Sequence, residues 1–285
     1  MSDDDIKISK VEHERRRYRR RQARKSALIS IASTLLFIGV IVLVLRNSPG
    51  WALVQNAFLN QEYFGLAFFP VLRGLLNNLK ILGYAVVCVA IFATILAAIR
   101  TTRSAVLFPL RGVAAIYTDF MRGIPVIVLL YLIGFGVPGL GLTDTRISAI
   151  LLGTVAITMI YAAYVSEVLR AGIQSIHPSQ RAAARSLGLT YGQTLRLVIL
   201  PQAVRRVIPP LMNNFVAMQK DVGLVSVLGV VDAVRAAQVQ TAITFNFTSY
   251  MVAALLFVSI SWPFIRLTDW YSARVRKREE AAGTV

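Results

Sequence analysis

RAAARSLGLTYGQTLRLVILPQ, residues 181–202, decides the fold because it is polar where its neighbours are not. It carries Arg181, Arg185, Arg196, two glycines and Pro201, while the segments on either side are apolar enough to lie in lipid. Its residues predict two short helices joined at a glycine. Just upstream, Pro178 suits a first helical position, where its missing N–H has no intrahelical partner anyway. SQRAAARSL continues at good helix propensity, and Gly188 supplies a left-handed stop. Thr190 and Gln193 then form a T-x-x-Q capping box for a second helix, YGQTLRLVIL. That helix is expected to end before Pro201, since a residue preceding proline favours an extended backbone.

The first helix spans about 15 Å at about 1.5 Å per residue. Ala182, Ala183 and Ala184 leave its middle bare, so a groove on another protein can approach the backbone. Arg181 and Arg185 share a face at i, i+4 spacing and suit acidic groups. Leu195, Val198 and Ile199 form an apolar stripe on the second helix, suited to packing beneath membrane-embedded segments. His177, directly before Pro178, is placed for helix capping or an interface contact. The physics is that of a docking knob coupled to a span at each end; a helical loop without any partner has the same architecture.

The rest of the chain supplies those spans. Its 285 residues are 56% hydrophobic and only 16% charged, against about 45–50% and about 25% for soluble domains. A spanning helix needs about 20 mainly apolar residues, and six segments qualify: 27–45, 75–99, 107–134, 147–169, 205–230 and 248–268. The first has no small-residue cleavage pattern after it and reads as an uncleaved anchor. Asn77, Asn78 and Lys80 interrupt the second; Pro209, Pro210, Asn213, Asn214, Gln219, Lys220 and Asp221 interrupt the fifth. A proline-broken polar helix belongs against protein or a watery cavity. The fold class is therefore all-α integral membrane. The predicted organisation is a basic tail (1–26), a first transmembrane helix (27–45), an extracytoplasmic segment (46–72), a transmembrane domain (73–270) with the loop 171–202, and a second tail (271–285).

Charge sets the orientation. The net charge is +17, and ERRRYRRRQARK (14–25), the 100–106 turn, the 170–204 loop and RVRKREE (274–280) all fall on one side of a six-span chain. The other side has little beyond Arg46, Arg73, Arg146 and Arg235. Lysine and arginine accumulate in cytoplasmic loops, so both termini and the loop are expected there. The N-terminal arginine run, with an interleaved tyrosine, has some character of a nucleic-acid segment. Its position directly before a span makes it a topology signal touching anionic lipid instead, with no nucleic acid as partner.

Covalent chemistry finds no support. The single cysteine, Cys88, lies in an apolar run and excludes a disulfide. The only histidines are His13 and His177, so a metal site of the Cys/His type is not expected. No G-x-x-x-x-G-K-[ST] phosphate loop is present. The ionisable residues within spans are the better clue, because each costs roughly 2.5–3.5 kcal/mol on insertion and usually faces a bundle interior or cavity. Asp119 and Arg122, three apart, can pair on one helix face or meet a solute. Asn213, Asn214 and Gln219 offer amides suited to a zwitterion, or to hydrogen bonds between helices. Lys220 and Asp221 read as a local ion pair or gate, and Glu167 with Arg170 as an anchor for the knob.

Ala183, Ala184, Gly188, Val198, Leu200 and Pro201 together resemble the coupling signature of ABC-importer permeases: two alanines, a glycine, then hydrophobic-x-Leu-Pro ten residues on. The stretches 117–138, 162–176 and 186–230 are similar in order and spacing to the polar amino acid family of such permeases, over about residues 73–270. The resemblance implies a five-helix core plus one added N-terminal helix, in a multi-pass protein of the bacterial inner membrane. It implies a second permease subunit, identical or related, ATP-binding cassette ATPase subunits that carry ATP and Mg, and an extracytoplasmic solute-binding protein that delivers a polar amino acid. This chain would hold no cofactor of its own. Relatives usually have glutamate where this chain has Ala182, isoleucine at Val198 and often glutamate at Asp119. Two other functions fit six apolar spans: an ion-gradient-driven secondary transporter of small polar solutes, and a membrane-anchored scaffold. Neither needs the Ala-Ala…Gly…Leu-Pro loop, and no inverted repeat marks the former.

Overall fold

Each apolar run and the polar loop between them fold as helix. The computed structural model describes residues 10–102, 104–141 and 147–281; Lys7 and Arg146 lie outside the described residues. Among the described residues there is no strand. Four helices are long and apolar enough to cross a membrane, or six if each of two bent pairs is one span.

The chain divides into two units, residues 1–56 and 57–285. The first is dominated by α1 (Lys10–Asn47), which carries the basic stretch and the apolar run 27–45 as one helix. A short α2 (Trp51–Phe58) follows. The second unit holds α3 (Gln61–Thr101), α4 (Phe108–Gly123), α5 (Val126–Gly139), α6 (Ala149–Gln174), α7 (Pro178–Ser186), α8 (Tyr191–Leu228), α9 (Ala233–Thr244) and α10 (Thr248–Ala281).

Proline chemistry produced three departures from expectation. The third span, expected over 107–134, is built from α4 and α5 meeting at 108°. Pro125 lacks an N–H, and Ile124 before it is extended at φ −87° and ψ 133°, so the helix must stop there. Pro201 does not end the second loop helix, which runs on into the fifth span. A π-helical turn, Thr194–Ile199, lies immediately before it. Its i→i+5 bonding widens the coil where the ring would otherwise strike a preceding carbonyl. Pro209 and Pro210 likewise sit inside a continuing helix. They leave the carbonyls of Arg205 and Arg206 without their usual amide donors, and packing of the neighbouring Val207 against Gly172 of α6 holds the helix in line. α8 tightens into a 3-10 turn over Val222–Leu228 and stops at Gly229, φ +83°.

Three apolar clusters hold the second unit together. The largest joins α3, α5, α6 and α8 through Ile81, Leu130, Ile157, Ile160, Val222 and Val225. A second joins α3, α9 and α10 through small residues, among them Ala67, Val71, Ala233, Ala237 and Ala253. Small side chains let membrane helices approach closely. At Gly74 the approach is so tight that a Cβ would overlap the Asp232 carbonyl. Asn78, buried beside it, donates to Asp232 Oδ2 (2.9 Å) and accepts from the Ala233 amide (3.0 Å), and Asp232 also caps α9 through the Arg235 amide (2.8 Å). The third cluster, Ile176, Ile199 and Ala203, sits under the polar loop.

Candidate functional site

The loop between α6 and α8 is built almost entirely from its own capping groups. His177 opens α7: its Nδ1 accepts from the Ser179 amide (3.2 Å) and lies 2.7 Å from Ser179 Oγ, and Pro178 fills the first helical position. The far end closes in a Schellman motif. The Gly188 amide donates to Arg185 O (2.9 Å) and the Leu189 amide to Ala184 O (3.2 Å), with Gly188 at φ +78°. Thr190 and Gln193 exchange both bonds of the capping box. Beneath, Leu195, Val198 and Ile199 lie on the cluster formed with Ile173, Ile176 and Ala203, as the apolar stripe predicts.

Two details differ from the sequence expectation. Ala182 and Ala183 are exposed, but Ala184 is buried, so the bare surface is two alanines wide rather than three. The arginines of α7 do not act as a matched pair. Arg181 turns back and donates to the Ile173 carbonyl (3.0 Å), leaving Arg185 as the exposed one. Leu200 and Pro201 lie exposed where α8 leaves the loop.

Arginines also fasten the loop to the end of α6. Arg206 donates to Ser175 O (2.8 Å), close to where Arg181 meets Ile173 O. Both put a cation on the last carbonyls of α6, where the helix dipole is negative. One turn earlier, Glu167 accepts from Arg100 of α3 (2.8 Å) and bonds Arg170 through both carboxylate oxygens. Arg170 reaches on to Gln174 (2.7 Å). The base of the knob is thus bonded to the end of α6, and α6 in turn to α3. Such an element can present a nearly bare helix to a partner and transmit displacement. Among the described residues, no three His, Cys, Asp or Glu side chains gather to hold a metal ion.

The polar residues of the spans are less unified. Asp119 and Arg122 do not pair: both are exposed, and the Arg122 guanidinium lies over the Tyr164 ring, 6.0 Å from its centroid. The aromatic face offers the cation an alternative to an adjacent carboxylate exposed to solvent. Lys220 and Asp221 do not pair either. Consecutive helical residues diverge by about 100°, so Lys220 is exposed while Asp221 accepts from Tyr161 OH (2.7 Å) of α6. Gln219 is buried and its Oε1 accepts from Ser261 of α10 (2.5 Å), which makes it a tie between helices. Asn213 is exposed, and Asn214 keeps a buried Nδ2 with no hydrogen-bond partner. Tyr161 and Ser261 carry no local signal in the sequence; only their long-range partners reveal them.

Residues 90–277 match the family described as "Binding-protein-dependent transport system inner membrane component". The chain is 34% identical over 181 residues to the probable glutamine ABC transporter permease protein GlnM of Bacillus subtilis (strain 168), across 63% of this chain and 82% of that one. It is 33% identical over 214 residues to the probable amino-acid ABC transporter permease protein PatM of Vibrio harveyi, across 74% of this chain and 95% of the relative. Among solved structures, a chain of an amino acid ABC transporter crystallised with histidines superposes with TM-score 0.67 at 32% identity, covering 76% of this chain and 98% of that one.

Proposed function

Because this chain belongs to the family of binding-protein-dependent transport system inner membrane components, the permease subunits of ABC importers, we propose that it moves a polar amino acid inward and that residues 171–202 couple this movement to a separate ATPase. The carrying observation is the loop itself: a short helix capped at both ends, exposing Ala182 and Ala183, and tied through Arg181, Arg206 and Glu167 to the helices at its base. His177, Pro178, Arg185, Gly188, Val198, Leu200 and Pro201 complete the coupling surface. Ala182, where relatives usually carry glutamate, leaves Arg185 as the exposed charged group for the partner groove.

The charge of the loops supports a cytoplasmic N-terminus, loop and C-terminus. The transmembrane domain covers 73–270, with 1–26 and 271–285 as cytoplasmic tails, 27–45 as an added first span and 46–72 as an extracytoplasmic segment. Two such subunits, identical or related, form the path. ATP and Mg bind on the ATPase subunits, and a solute-binding protein delivers cargo on the outer face. Within the path, Asn213 and Asn214 are the residues for a zwitterion, the latter through its unpartnered Nδ2. Lys220, exposed beside the bonded Asp221, serves as a gate. Asp119 and Arg122, exposed and separate, offer opposite charges at the inner end. The cargo reading is supported by the names of the relatives, several of which carry amino acids.

Copurification in mild detergent tests the coupling. The tagged chain should bring down an ATP-hydrolysing subunit, and an ion gradient alone should not drive uptake in vesicles. Uptake competition among glutamate, glutamine, arginine, histidine and cystine then identifies the cargo; accumulation driven by a proton or sodium gradient without ATP would refute the assignment.

A further inference from the structure

A cavity of about 610 Å³ lies under α7, between the end of α3, the start of α4 and the first turns of α8. Four guanidinium groups line it: Arg100, Arg111, Arg181 and Arg185. Among the described residues, no carboxylate lines it. Glu167, the carboxylate that Arg100 reaches, is shared with Arg170. Arg111 and Arg181 each spend one N–H on a backbone carbonyl, Thr102 O (2.7 Å) and Ile173 O (3.0 Å). A guanidinium has five donors, so most remain unspent.

Arg100 has Glu167 as its counter-ion and Arg185 is exposed, but Arg111 and Arg181 have no carboxylate partner among the described residues, and like charges gathered around one cavity repel. A second observation points to a ligand. Thr194 also lines the cavity, is 5% exposed, and its Oγ1 has no hydrogen-bond partner. A buried hydroxyl left unbonded costs free energy, and the cavity it borders carries four guanidinium groups. An anion with several oxygens would accept from the arginines and from this hydroxyl together. Planar guanidinium forks match phosphate oxygens best. The remaining wall is mixed, apolar at Ile173, Ile176 and Ile199 and polar at Thr101, Thr102 and Gln174.

We propose that this cavity binds a phosphate-bearing anion, supplied either as the headgroup of an anionic phospholipid or as free phosphate. The apolar part of the wall and the basic pocket beside membrane helices suit a headgroup. The site consists of this chain's own side chains and stands apart from the cargo assignment; bound, the anion would brace the base of the coupling loop.

The test uses the full-length chain, first alone and then with its copurified partner. One arm reconstitutes it in nanodiscs of phosphatidylcholine with or without phosphatidylglycerol and counts retained phosphatidylglycerol by native mass spectrometry after delipidation. The other titrates inorganic phosphate into detergent-solubilised protein by calorimetry. Retention in the first arm identifies the lipid, and heat in the second identifies free phosphate; either supports the site. Arg111→Gln should weaken binding about tenfold, the loss of one charge-assisted hydrogen bond. Thr194→Val should weaken binding while leaving thermal stability unchanged or higher, which a purely structural hydroxyl would not do. Arg196→Gln, exposed on the same segment but not in the cavity wall, should bind as wild type. The proposal fails if neither anion binds, if Thr194→Val binds undiminished, if Arg196→Gln loses binding equally, or if binding to the isolated chain disappears on assembly with the ATPase, which would assign the arginines to the protein partner.

Discussion

Gly188 offers the sharpest test of how the loop is held. Its φ of +78° lies in the left-handed region, and nothing stands within 4 Å of where a Cβ would be built. Substitution is therefore opposed within this chain by backbone strain alone, about 1–2 kcal/mol for an ordinary L-residue. Asparagine tolerates that region better. A loss of that size changes the ratio of ordered to frayed loop by roughly 5–30-fold. The rest of the fold should be untouched, because the two larger apolar clusters lie elsewhere and Gly188 belongs to none of the three. Gly188→Ala should therefore insert and melt like wild type, yet accumulate less amino acid per ATP hydrolysed in proteoliposomes. Gly188→Asn should fall between the two. Equal uptake per ATP for Gly188→Ala and wild type would refute the role of the left-handed turn. A worse result for Gly188→Asn than for Gly188→Ala would show that bulk at the partner surface governs, not strain.

Glu167→Gln removes the charge that joins Arg100 to Arg170, and should cost about 1–3 kcal/mol, read as a lower Tm of the purified chain by scanning fluorimetry. Tyr161→Phe strips the donor from Asp221 and should cost about 1–3 kcal/mol by the same measurement, whereas Asp221→Asn, which keeps an acceptor, should cost less. Gly74→Ala places a methyl against the Asp232 carbonyl; its overpacking cost, about 1–3 kcal/mol, should appear as reduced expression and a lower Tm, while the same change at Gly83, where nothing lies within 4 Å, should be silent.

Local chemistry made the loop legible in advance. Pro178, Gly188 and the Thr190–Gln193 pair act within a few residues of themselves, so caps and turn could be placed from sequence. The spans were equally plain from apolar length. What was hidden depends on partners far along the chain. Asp119 has Arg122 at an inviting spacing, but that cation finds the ring of Tyr164, 42 residues on. Asp221 ignores its neighbour Lys220 for Tyr161, 60 residues back. Ala184 looks no different from Ala183 until the loop folds and buries the one while leaving the other exposed. Prolines misled in both directions. Pro125 does break its helix, while Pro201 does not, and the difference lies in a π turn that no residue type announces.

That unbroken passage through Pro201 has a mechanical consequence. From Tyr191 to Leu228 the chain is one beam, roughly 55 Å long at about 1.5 Å per residue. Its near end carries the surface that a motor subunit would push; its far end carries Asp221 and the turn into α9. Tilting such a beam by about 5° about one end sweeps the other through roughly 5 Å over that length, comparable to a full helical turn. No relay of rotamers or switch of hydrogen bonds is needed between the two ends, only a pivot. At Val207, about midway along it, the beam crosses α6 over Gly172; a pivot there would roughly halve the sweep of either end.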